Sequence, residues 1–495
     1  MSNLPSPSSP SLEGEDLKDL KSVFFSGVGG HGMSVLARIL AAEGVETAGS
    51  DIARTPITKE LEDAGIKVFP QDGSHMGGAR VLVWSSAIRE DNPDVRKALE
   101  SGMLLAHRSD VLSLLMRGKK SIAVSGTHGK TTTSCIASFI LLEAGKDPGW
   151  ALGSSFKTLE GEEPGWRKGR EAFVAEADES DGSFLKYATS VAVVTNSDGD
   201  HFDHYGSIEA YREAFRGFIS HSGRCVMCMD DAGNRELFKS LDTESKRKVL
   251  GYGESAFEDL ASELSGLEEE NYARLEGIRL FPASSPTASS FSLSFRGKQT
   301  PVEMRLPGRH NDLNAAAAIL ACFELGVGLE TGAEAASKFL GSARRFELLG
   351  EEKGIKLFTD YGHHPAEIAA FLSALKSSYP SSPIGVMFEP FNSSRVAQFA
   401  ARFAKSLSLA DKVILVPIFR ARATAEDALG VKSEDIKEEA RKIGGDGKFE
   451  CAGSLEEGAK ILASWAEEGS VLATIGAGTI ARINSGILNL LREKR

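Results

Sequence analysis

Short apolar runs rich in β-branched residues alternate with longer stretches of helical periodicity along almost the whole chain. This alternation predicts parallel strands joined by helices, which is an α/β fold. The predicted strands are 23–26, 81–85, 121–125, 172–175, 190–195, 225–229, 356–359, 384–388, 413–418 and 471–475. The predicted helices between them include 33–42, 132–144, 313–324 and 365–377.

Two joints divide this pattern into three domains. The basic stretch MRGKK (116–120) precedes the predicted strand 121–125, and GSARRFE (341–347) follows a long helical region. We therefore predict domains at 21–119, 120–341 and 342–495, which fits the usual domain size. Residues 1–20 are rich in Ser and Pro and are expected to form a flexible tail. The Ser- and Glu-rich stretch 253–290 has weak periodicity and is interpreted as a peripheral insertion.

Composition narrows the class of protein. The 495 residues carry 57 Lys plus Arg against 69 Asp plus Glu, a net charge of −12. An acidic chain lacks the basic face that a nucleic-acid-binding protein needs, so no nucleic-acid partner is expected. The sequence has no signal peptide and no apolar run of membrane-spanning length. Five cysteines are too few for a disulfide scaffold, so a cytoplasmic location is expected.

A glycine turn follows the strand at 121–125 and resembles a phosphate loop. It reads Gly126, Thr127, His128, Gly129, Lys130, Thr131, Thr132, and a helix follows. Glycines let backbone amides converge on an anion, and the helix N-terminus adds its dipole. Lys130 can reach terminal phosphates and the Thr131 hydroxyl can ligate Mg²⁺. The loop is shorter than the usual phosphate loop, because Val124 stands where its first glycine would be.

Polar clusters follow two further strands of the same domain. One contains Glu176, Asp178, Glu179 and Asp181, and the other contains Asn196, Asp198, Asp200, His201 and Asp203. In a parallel sheet, ligand groups collect where the strands end. Carboxylates and a histidine near a phosphate loop can hold Mg²⁺ that bridges phosphates. Solvated acidic turns are the alternative interpretation of these segments.

A second glycine loop lies near the N-terminus. Gly27, Gly29 and Gly32 fit the spacing G-x-G-x-x-G between a strand and a helix, and Asp51 follows at the interval of a ribose-binding acid. This pattern by itself indicates a diphosphate on a helix N-terminus, as in a dinucleotide-dependent dehydrogenase or an enzyme that binds a UDP-sugar. The candidate contacts of this site are Gly27, Gly29, Gly30, His31, Gly32, Met33, Asp51, Ser85, Ser86 and Arg108.

Several motifs together resemble the Mur ligase family. They are GVGGHGM (27–33), GTHGKTTT (126–133), EADESDGSF (176–184), TNSDGDHFD (195–203), GRHNDLNA (308–315), RRFE (344–347) and DYGHHP (360–365). The resemblance covers nearly the whole chain from about residue 21. It implies a Rossmann-like N-terminal domain that binds a UDP-sugar, a central P-loop ATPase-type domain and a Rossmann-like C-terminal domain that closes on the amino acid.

The resemblance also implies residue roles. Lys130 and Thr131 match the phosphate-loop positions, and Glu176 and His201 match the Mg²⁺ ligands, with Thr131 as a third. The implied ATP contacts are Gly126, Thr127, His128, Gly129, Lys130, Thr131, Thr132, His310, Asn314, Arg344 and Asp360, with His310 and Asn314 beside the adenine. The implied catalytic residues are Lys130, Glu176, His201 and His363, the last as a candidate base near the amine.

Several parts of the sequence depart from patterns seen in the family, among them Asp198-Gly199, which replaces a Glu-x pair of relatives. Thr359 replaces the first acid of an expected DDYGHHP, and FEPFNSSR (388–395) keeps only part of a motif near the amino acid. Phe215 stands where later-acting ligases carry a carbamylated lysine, which agrees with the alanine-adding branch.

The function implied is an ATP-dependent ligase that adds L-alanine to UDP-N-acetylmuramate through an acyl phosphate, with Mg²⁺ as cofactor, in peptidoglycan precursor synthesis. A recycling ligase that attaches a whole tripeptide, a non-catalytic nucleotide-binding regulator and a dehydrogenase stay open as alternatives. The sequence does not fix the oligomeric state, and a homodimer also stays open.

Overall fold

The structure is a computed structural model and describes residues 4–199, 202–285, 287–420 and 430–494. The described residues form two compact units. The first unit is drawn from Met1–Gly277, Phe291–Glu303 and Leu313–Phe339, and the second from Ile278–Ser290, Met304–Asp312 and Leu340–Arg495. Within the described ranges, no helix combines the length and apolar composition that a bilayer crossing requires.

The first unit begins with a five-stranded parallel sheet. Its strands are β1 (Ser22–Ser26), β2 (Glu46–Asp51), β3 (Lys67–Pro70), β4 (Val81–Trp84) and β5 (Leu104–His107), and its helices are α1 (His31–Ala42), α2 (Pro56–Asp63), α3 (Pro93–Glu100) and α4 (Arg108–Met116). The strand order is β3-β2-β1-β4-β5 with parallel pairing throughout. The order reverses between β1 and β4, so the loops that follow these strands frame the crevice where ligands bind in such sheets.

The segment before β1 is packed against this sheet. Leu12 and Leu20 are buried in its core, and the Glu15 carboxylate pairs with the Arg80 guanidinium at 2.8 Å. This differs from the flexible tail expected for 1–20. Burial of the two leucines stabilises the contact with the sheet. The average composition of the segment, rich in Ser and Pro, gave no indication of it.

A longer sheet follows, most of whose residues belong to the first unit, in the order β10-β7-β11-β6-β12-β13-β14-β15-β16-β17. Its strands are β6 (Lys120–Ser125), β7 (Pro148–Ala151), β10 (Trp166–Arg167), β11 (Ala172–Glu176), β12 (Val191–Val194), β13 (Arg224–Cys228), β14 (Val249–Gly253), β15 (Tyr272–Leu280), β16 (Ser289–Phe295) and β17 (Lys298–Met304). The strands β8 (Phe156–Thr158) and β9 (Gly161–Glu163) form an antiparallel hairpin. A further strand, β18 (Phe339–Ser342), comes later in the chain.

Helices flank these strands. They are α5 (Lys130–Glu143), α6 (Phe202–Tyr205), α7 (Ile208–Ser220), α8 (Ala232–Ser240), α9 (Thr243–Arg247), α10 (Phe257–Leu260), α11 (Arg309–Glu324) and α12 (Leu329–Ser337). The strands β11 and β12 flank β6, with Glu176 opposite Val124 and Val194 opposite Ser125. The carboxyl ends of these three strands are therefore level, which brings the loops that follow them to one edge of the sheet.

The stretch 253–290, interpreted from the sequence as a peripheral insertion, supplies β15 and the start of β16 toward one end of the longer sheet. β15 pairs in parallel with β14, with Gly251 opposite Tyr272, and so extends the main sheet. Buried and partly exposed positions alternate strictly along β16. Serine alternates with Phe291, Leu293 and Phe295 along β16, so the two-residue period is present in the sequence itself.

The second unit carries a six-stranded sheet in the order β19-β20-β24-β21-β22-β23. Its strands are β19 (Glu347–Glu352), β20 (Ile355–Asp360), β21 (Ile384–Phe388), β22 (Lys412–Leu415), β23 (Phe449–Cys451) and β24 (Val471–Ile475), and its helices are α13 (Pro365–Ser378), α14 (Ser393–Leu407), α15 (Glu434–Lys442), α16 (Leu455–Trp465) and α17 (Asn484–Glu493). β19 is antiparallel to β20, while the other pairs are parallel. Buried apolar clusters cover both faces of this sheet.

Candidate active site

The predicted phosphate loop (126–131) forms a tight turn between β6 and α5. Gly126 has φ +128°, and a Cβ atom there would lie 2.3 Å from Thr195 Oγ1. Gly129 has φ +84°, and a Cβ atom there would lie 2.5 Å from Asn314 Oδ1. Both positions therefore require glycine, for backbone conformation and for space. The turn aims the N-terminus of α5 at the edge of the sheet where an anion would bind.

The loop that follows β12 holds this turn in place. Asn196 accepts a hydrogen bond from the His128 amide and donates one to the His128 carbonyl, both at 2.9 Å. The Thr195 hydroxyl donates to the same carbonyl at 2.6 Å. The Thr127 hydroxyl donates to the Asp198 carbonyl at 2.7 Å. Neither Thr195 nor Asn196 is predicted from the sequence to brace this turn.

Lys130 is the first residue of α5, and its ammonium group is well anchored. Nζ donates to the Gly126 carbonyl at 2.6 Å and lies 3.0 and 3.1 Å from the two carboxylate oxygens of Glu179. Burial alone would lower the pKa of Lys130, but the neighbouring carboxylates, Glu179 foremost, outweigh it and hold the pKa above its ordinary value. Lys130 is therefore a positive charge at physiological pH. Thr132, in contrast, is buried within the first turn of the helix.

Two predicted metal ligands meet beside Lys130. The Thr131 hydroxyl donates to Glu176 Oε2 at 3.1 Å, and the Gly153 amide donates to Glu176 Oε1 at 2.5 Å. A hydroxyl and a carboxylate are hard oxygen donors of the kind that Mg²⁺ prefers, so the residues present fit this ion. The third predicted ligand, His201, lies outside the described residues.

Asn314 lies against the phosphate loop from a distant part of the chain. The Thr133 hydroxyl donates to Asn314 Oδ1 at 3.3 Å. This side chain therefore borders the first turn of α5. The resemblance to the Mur ligases implies a position beside the adenine for the same side chain.

The loop that follows β11, here called the carboxylate loop (176–181), also contacts predicted UDP-sugar residues. Asp178 pairs with Arg108 at 3.0 Å. Asp181 accepts a hydrogen bond from the Ser86 hydroxyl, and Ser86 Oγ lies 3.1 Å from His107 Nε2. Burial works against the charge of Asp178, but Arg108 and Lys130 outweigh it and lower its pKa. Burial lowers the pKa of His107 to about 3, so its imidazole is neutral.

The first glycine loop (27–32) is built on the end of β2. The amides of Gly27 and Val28 both donate to the Ser50 carbonyl at 2.9 Å. The Gly29 amide donates to Asp51 Oδ2 at 2.9 Å, and a Cβ atom on Gly29 would lie 2.8 Å from that oxygen. Asp51 thus shapes the loop directly, whereas the sequence pattern suggested a contact with a ribose.

The other predicted UDP-sugar residues have different surroundings. Gly32 lies close to Arg108, since a Cβ atom on Gly32 would lie 3.3 Å from Arg108 Nη1. Ser85 is partly exposed after β4. Gly30 precedes α1 as its N-cap, while Met33 is buried in the core.

The second unit holds the remaining predicted residues. Asp360 accepts hydrogen bonds from the Phe346 amide at 2.9 Å and the Gly362 amide at 2.7 Å, and burial raises its pKa to about 6. The Arg344 guanidinium stacks 4.7 Å from the ring centroid of Tyr361 and donates to the Gly476 carbonyl at 2.6 Å.

Two histidines of the second unit are neutral near pH 7. Burial, with a smaller effect of Arg345, lowers the pKa of His310 to about 4. Burial also lowers the pKa of His363 to about 4, although Glu367 opposes the shift. The His363 amide donates to Glu367 at 2.9 Å. A neutral imidazole can accept a proton, which is what a general base requires. Glu367 is not among the site residues predicted from the sequence.

Three family models match successive parts of the chain. They are described as the Mur ligase family catalytic domain at 22–120, the Mur ligase middle domain at 124–322 and the Mur ligase glutamate ligase domain at 344–478. The chain belongs to the Mur ligase family. The resemblance inferred from the motifs is confirmed, and so is the α/β fold of three Mur ligase domains.

Relatives with curated names extend this match over nearly the full length. The UDP-N-acetylmuramate–L-alanine ligase of Bifidobacterium adolescentis is 39% identical over 503 residues, with 97% of this chain and 95% of that protein covered. The enzyme of the same name from Paenarthrobacter aurescens is 38% identical, with 96% of this chain and 98% of that protein covered.

Solved structures of Mur ligases share the fold. The UDP-N-acetylmuramate–alanine ligase of Thermotoga maritima is similar with a TM-score of 0.76 at 26% identity, covering 94% of this chain and 98% of that one. A murein peptide ligase of Psychrobacter arcticus has a TM-score of 0.68 at 22% identity, covering 96% of this chain and 99% of that one. At that identity the second similarity concerns the fold alone.

Proposed function

We propose that this Mur ligase joins L-alanine to UDP-N-acetylmuramate at the expense of ATP, in the synthesis of peptidoglycan precursors. The observation that carries the proposal is the meeting of Lys130, Thr131 and Glu176 at one edge of the sheet, in a chain whose full-length relatives are named for this reaction. Family membership favours a ligase over the dehydrogenase that the first glycine loop by itself allowed.

The chemistry proceeds in two steps. A carboxylate oxygen of the sugar attacks the γ-phosphorus of ATP, the bond to the bridging oxygen breaks, and ADP leaves. The amine of L-alanine then attacks the acyl carbon, a proton is lost from nitrogen, and inorganic phosphate leaves with the C–O bond electrons. The protein contributes mainly positioning and neutralisation of charge on the phosphoryl oxygens.

Several residues of the phosphate site together position the phosphates and neutralise their charge. The Lys130 ammonium group binds the terminal phosphates, and the backbone amides of the phosphate loop and the N-terminus of α5 bind the remaining oxygens. Thr131, Glu176 and His201 would hold Mg²⁺, which supplies further positive charge when it is bound. The adjacent Asn196 bridge keeps the loop in its anion-binding form.

The other substrates are assigned to the neighbouring parts of the chain. The first glycine loop, with Ser85, Ser86 and Arg108, binds the diphosphate of the UDP-sugar. His310 of the central domain and Arg344 and Asp360 of the third domain contact the nucleotide, and the neutral His363 takes the proton of the amine. This assignment divides the chain at 21–119, 120–341 and 342–495, and the use of ATP and a nucleotide sugar suits the cytoplasm.

One assay tests the proposal. The purified protein is mixed with ATP, Mg²⁺ and UDP-N-acetylmuramate, and either L-alanine or a cell-wall tripeptide is added while phosphate release is measured. We expect release that depends on L-alanine and on the UDP-sugar together. Phosphate release with the tripeptide but not with L-alanine would identify a recycling ligase. No release with either compound would favour a non-catalytic nucleotide-binding regulator.

A further inference from the structure

Glu179 is a fully buried carboxylate in the carboxylate loop, between the candidate metal ligand Glu176 and the residues that face the UDP-sugar site. Its side chain has 0% of its surface exposed, against 19% for Lys130. Its backbone carbonyl accepts hydrogen bonds from the Tyr205 hydroxyl and from the Gly182 amide at 3.2 Å. These contacts fix the backbone of Glu179, so its carboxylate has a defined position.

The neighbouring carboxylates of this loop are directed elsewhere. Asp178 pairs with Arg108 and Asp181 accepts from Ser86. Glu176 contacts Thr131 and the Gly153 amide. Among the described residues of the carboxylate loop, Glu179 is therefore the one whose side chain meets the Lys130 ammonium directly, with both oxygens within 3.1 Å.

A buried charge that loses its partner is strongly unfavourable. Lys130 therefore cannot leave Glu179 completely when nucleotide phosphates arrive. An ammonium group has three donors. The Gly126 carbonyl and the Glu179 carboxylate occupy donors on one side, so the phosphates must share the ammonium with a carboxylate that repels them.

We propose that Glu179 is a positioning residue of the nucleotide site, which holds the Lys130 ammonium group in its productive orientation and weakens nucleotide binding in doing so. This inference rests on the proposed function. It assigns Glu179 a role in phosphoryl transfer through Lys130, with no contact between Glu179 and the substrate.

The variant Glu179→Gln separates binding from catalysis. It removes the negative charge near the phosphates and leaves Lys130 less firmly held. We expect the dissociation constant for ADP to fall by about tenfold, as expected for removing one like charge several ångströms from a phosphate in a partly screened site. We expect kcat to fall by at least about tenfold in the same variant, because the ammonium group is no longer fixed. AMP, with fewer phosphates, should gain less affinity than ADP.

A matched control removes another buried carboxylate paired with a lysine. Asp110 and Lys186 form such a pair at 2.7 Å, with 2% of each side chain exposed. Asp110→Asn should lower the free energy of unfolding but leave the ADP dissociation constant within about twofold of the unaltered protein. Equal changes in ADP affinity for both variants would overturn the proposal, since they would reflect a general loss of packing.

Isothermal titration with ADP and AMP provides the measurement. Unchanged or weaker ADP binding by a folded Glu179→Gln protein contradicts the role of Glu179, as does an unchanged kcat. If that variant does not fold, Glu179→Asp keeps the charge but withdraws it from Nζ. Tighter ADP binding and a lower kcat are then expected, each by a smaller factor than for Glu179→Gln. Unchanged ADP binding overturns the inference. Failure of the unaltered protein to bind ADP would contradict the proposed function itself.

Discussion

The first unit contains two glycine loops that are both predicted to bind phosphate groups but differ in the side chains around them. Each connects a parallel strand to a helix, and each is shaped by a side chain at the carboxyl end of a neighbouring strand of the sheet, Asp51 of β2 for the first and Asn196 after β12 for the second. The second loop carries its own cation, Lys130, whereas the first relies on Arg108 from α4, which is paired with Asp178.

This difference matches the chemistry proposed for each loop. A loop that only binds a diphosphate needs amides and a nearby positive charge, and these change little during the reaction. A loop that transfers a phosphoryl group must neutralise charge that develops in the transition state, so its cation has to be fixed. The pairing of Lys130 with a fully buried carboxylate is consistent with that requirement.

The largest effect is expected from removal of the cation of the second loop. Lys130→Met should lower kcat by about 10³-fold or more, because phosphoryl transfer loses a fixed positive charge. Affinity for UDP at the first loop should stay unchanged. Lys120→Met, at the other end of β6 on an exposed position, is the control for loss of a lysine. Near-normal turnover by Lys130→Met would mean that the second loop does not need a cation of its own for phosphoryl transfer.

The next effect concerns the shape of the second loop. Gly126→Ala introduces a Cβ atom 2.3 Å from Thr195 Oγ1 at φ +128°, so the loop must open. We expect ADP affinity to fall by about 100-fold or more, given that both strain and a steric clash act at this position. Gly77→Ala, where the added atom would meet nothing within 4 Å, should leave titration with ADP unaltered. Normal ADP binding by Gly126→Ala would argue against an anion site at this turn.

A pH effect is expected beside the first loop. The pKa of His107 is lowered to about 3 in the folded protein, so the unfolded chain binds more protons than the folded protein between about pH 6.5 and 3. This contribution to stability is complete above pH 6.5 and is lost as the pH falls. His107 should account for a loss of about 2 kcal/mol in the free energy of unfolding between pH 7 and pH 5.

Urea denaturation of the unaltered protein and of His107→Gln, at pH 7 and at pH 5, measures the contribution of His107 to the free energy of unfolding. The variant is less stable at pH 7, but its stability should depend less on pH. An identical pH dependence in the two proteins would mean that His107 is not held neutral beside Ser86.

The smallest effect concerns the side chain that shapes the first loop. Asp51→Ala leaves the Gly29 amide without the acceptor that it has at 2.9 Å, so UDP affinity should fall by about tenfold. ADP affinity should not change, because Asn196 braces the other loop. A loss of ADP affinity in this variant would show that the two loops are not independent.

Local sequence predicted both loops because their requirements are local. Glycine spacing, a preceding apolar strand and a following helix all lie within about a dozen residues, which is the range over which backbone geometry acts. The roles of Gly126, Gly129 and Lys130 could therefore be proposed from the sequence alone. Leu12 and Leu20 were missed, since two apolar residues in a polar segment carry no periodic signal.

The side chains that complete the site could not be predicted in this way. Asn314 reaches the first turn of α5 from 181 positions beyond Thr133. The sequence did not indicate which acids of the carboxylate loop meet the two cations, and in the structure Glu179 meets Lys130 while Asp178 meets Arg108.

The sequence by itself determined the family, the α/β class and the two anion-binding turns, because these depend on short-range pattern and spacing. Only the tertiary structure decided which carboxylate meets which cation and which amide braces the phosphate loop. Those pairings depend on the path of the backbone at the ends of neighbouring strands, where a change of one residue turns a side chain toward a different partner.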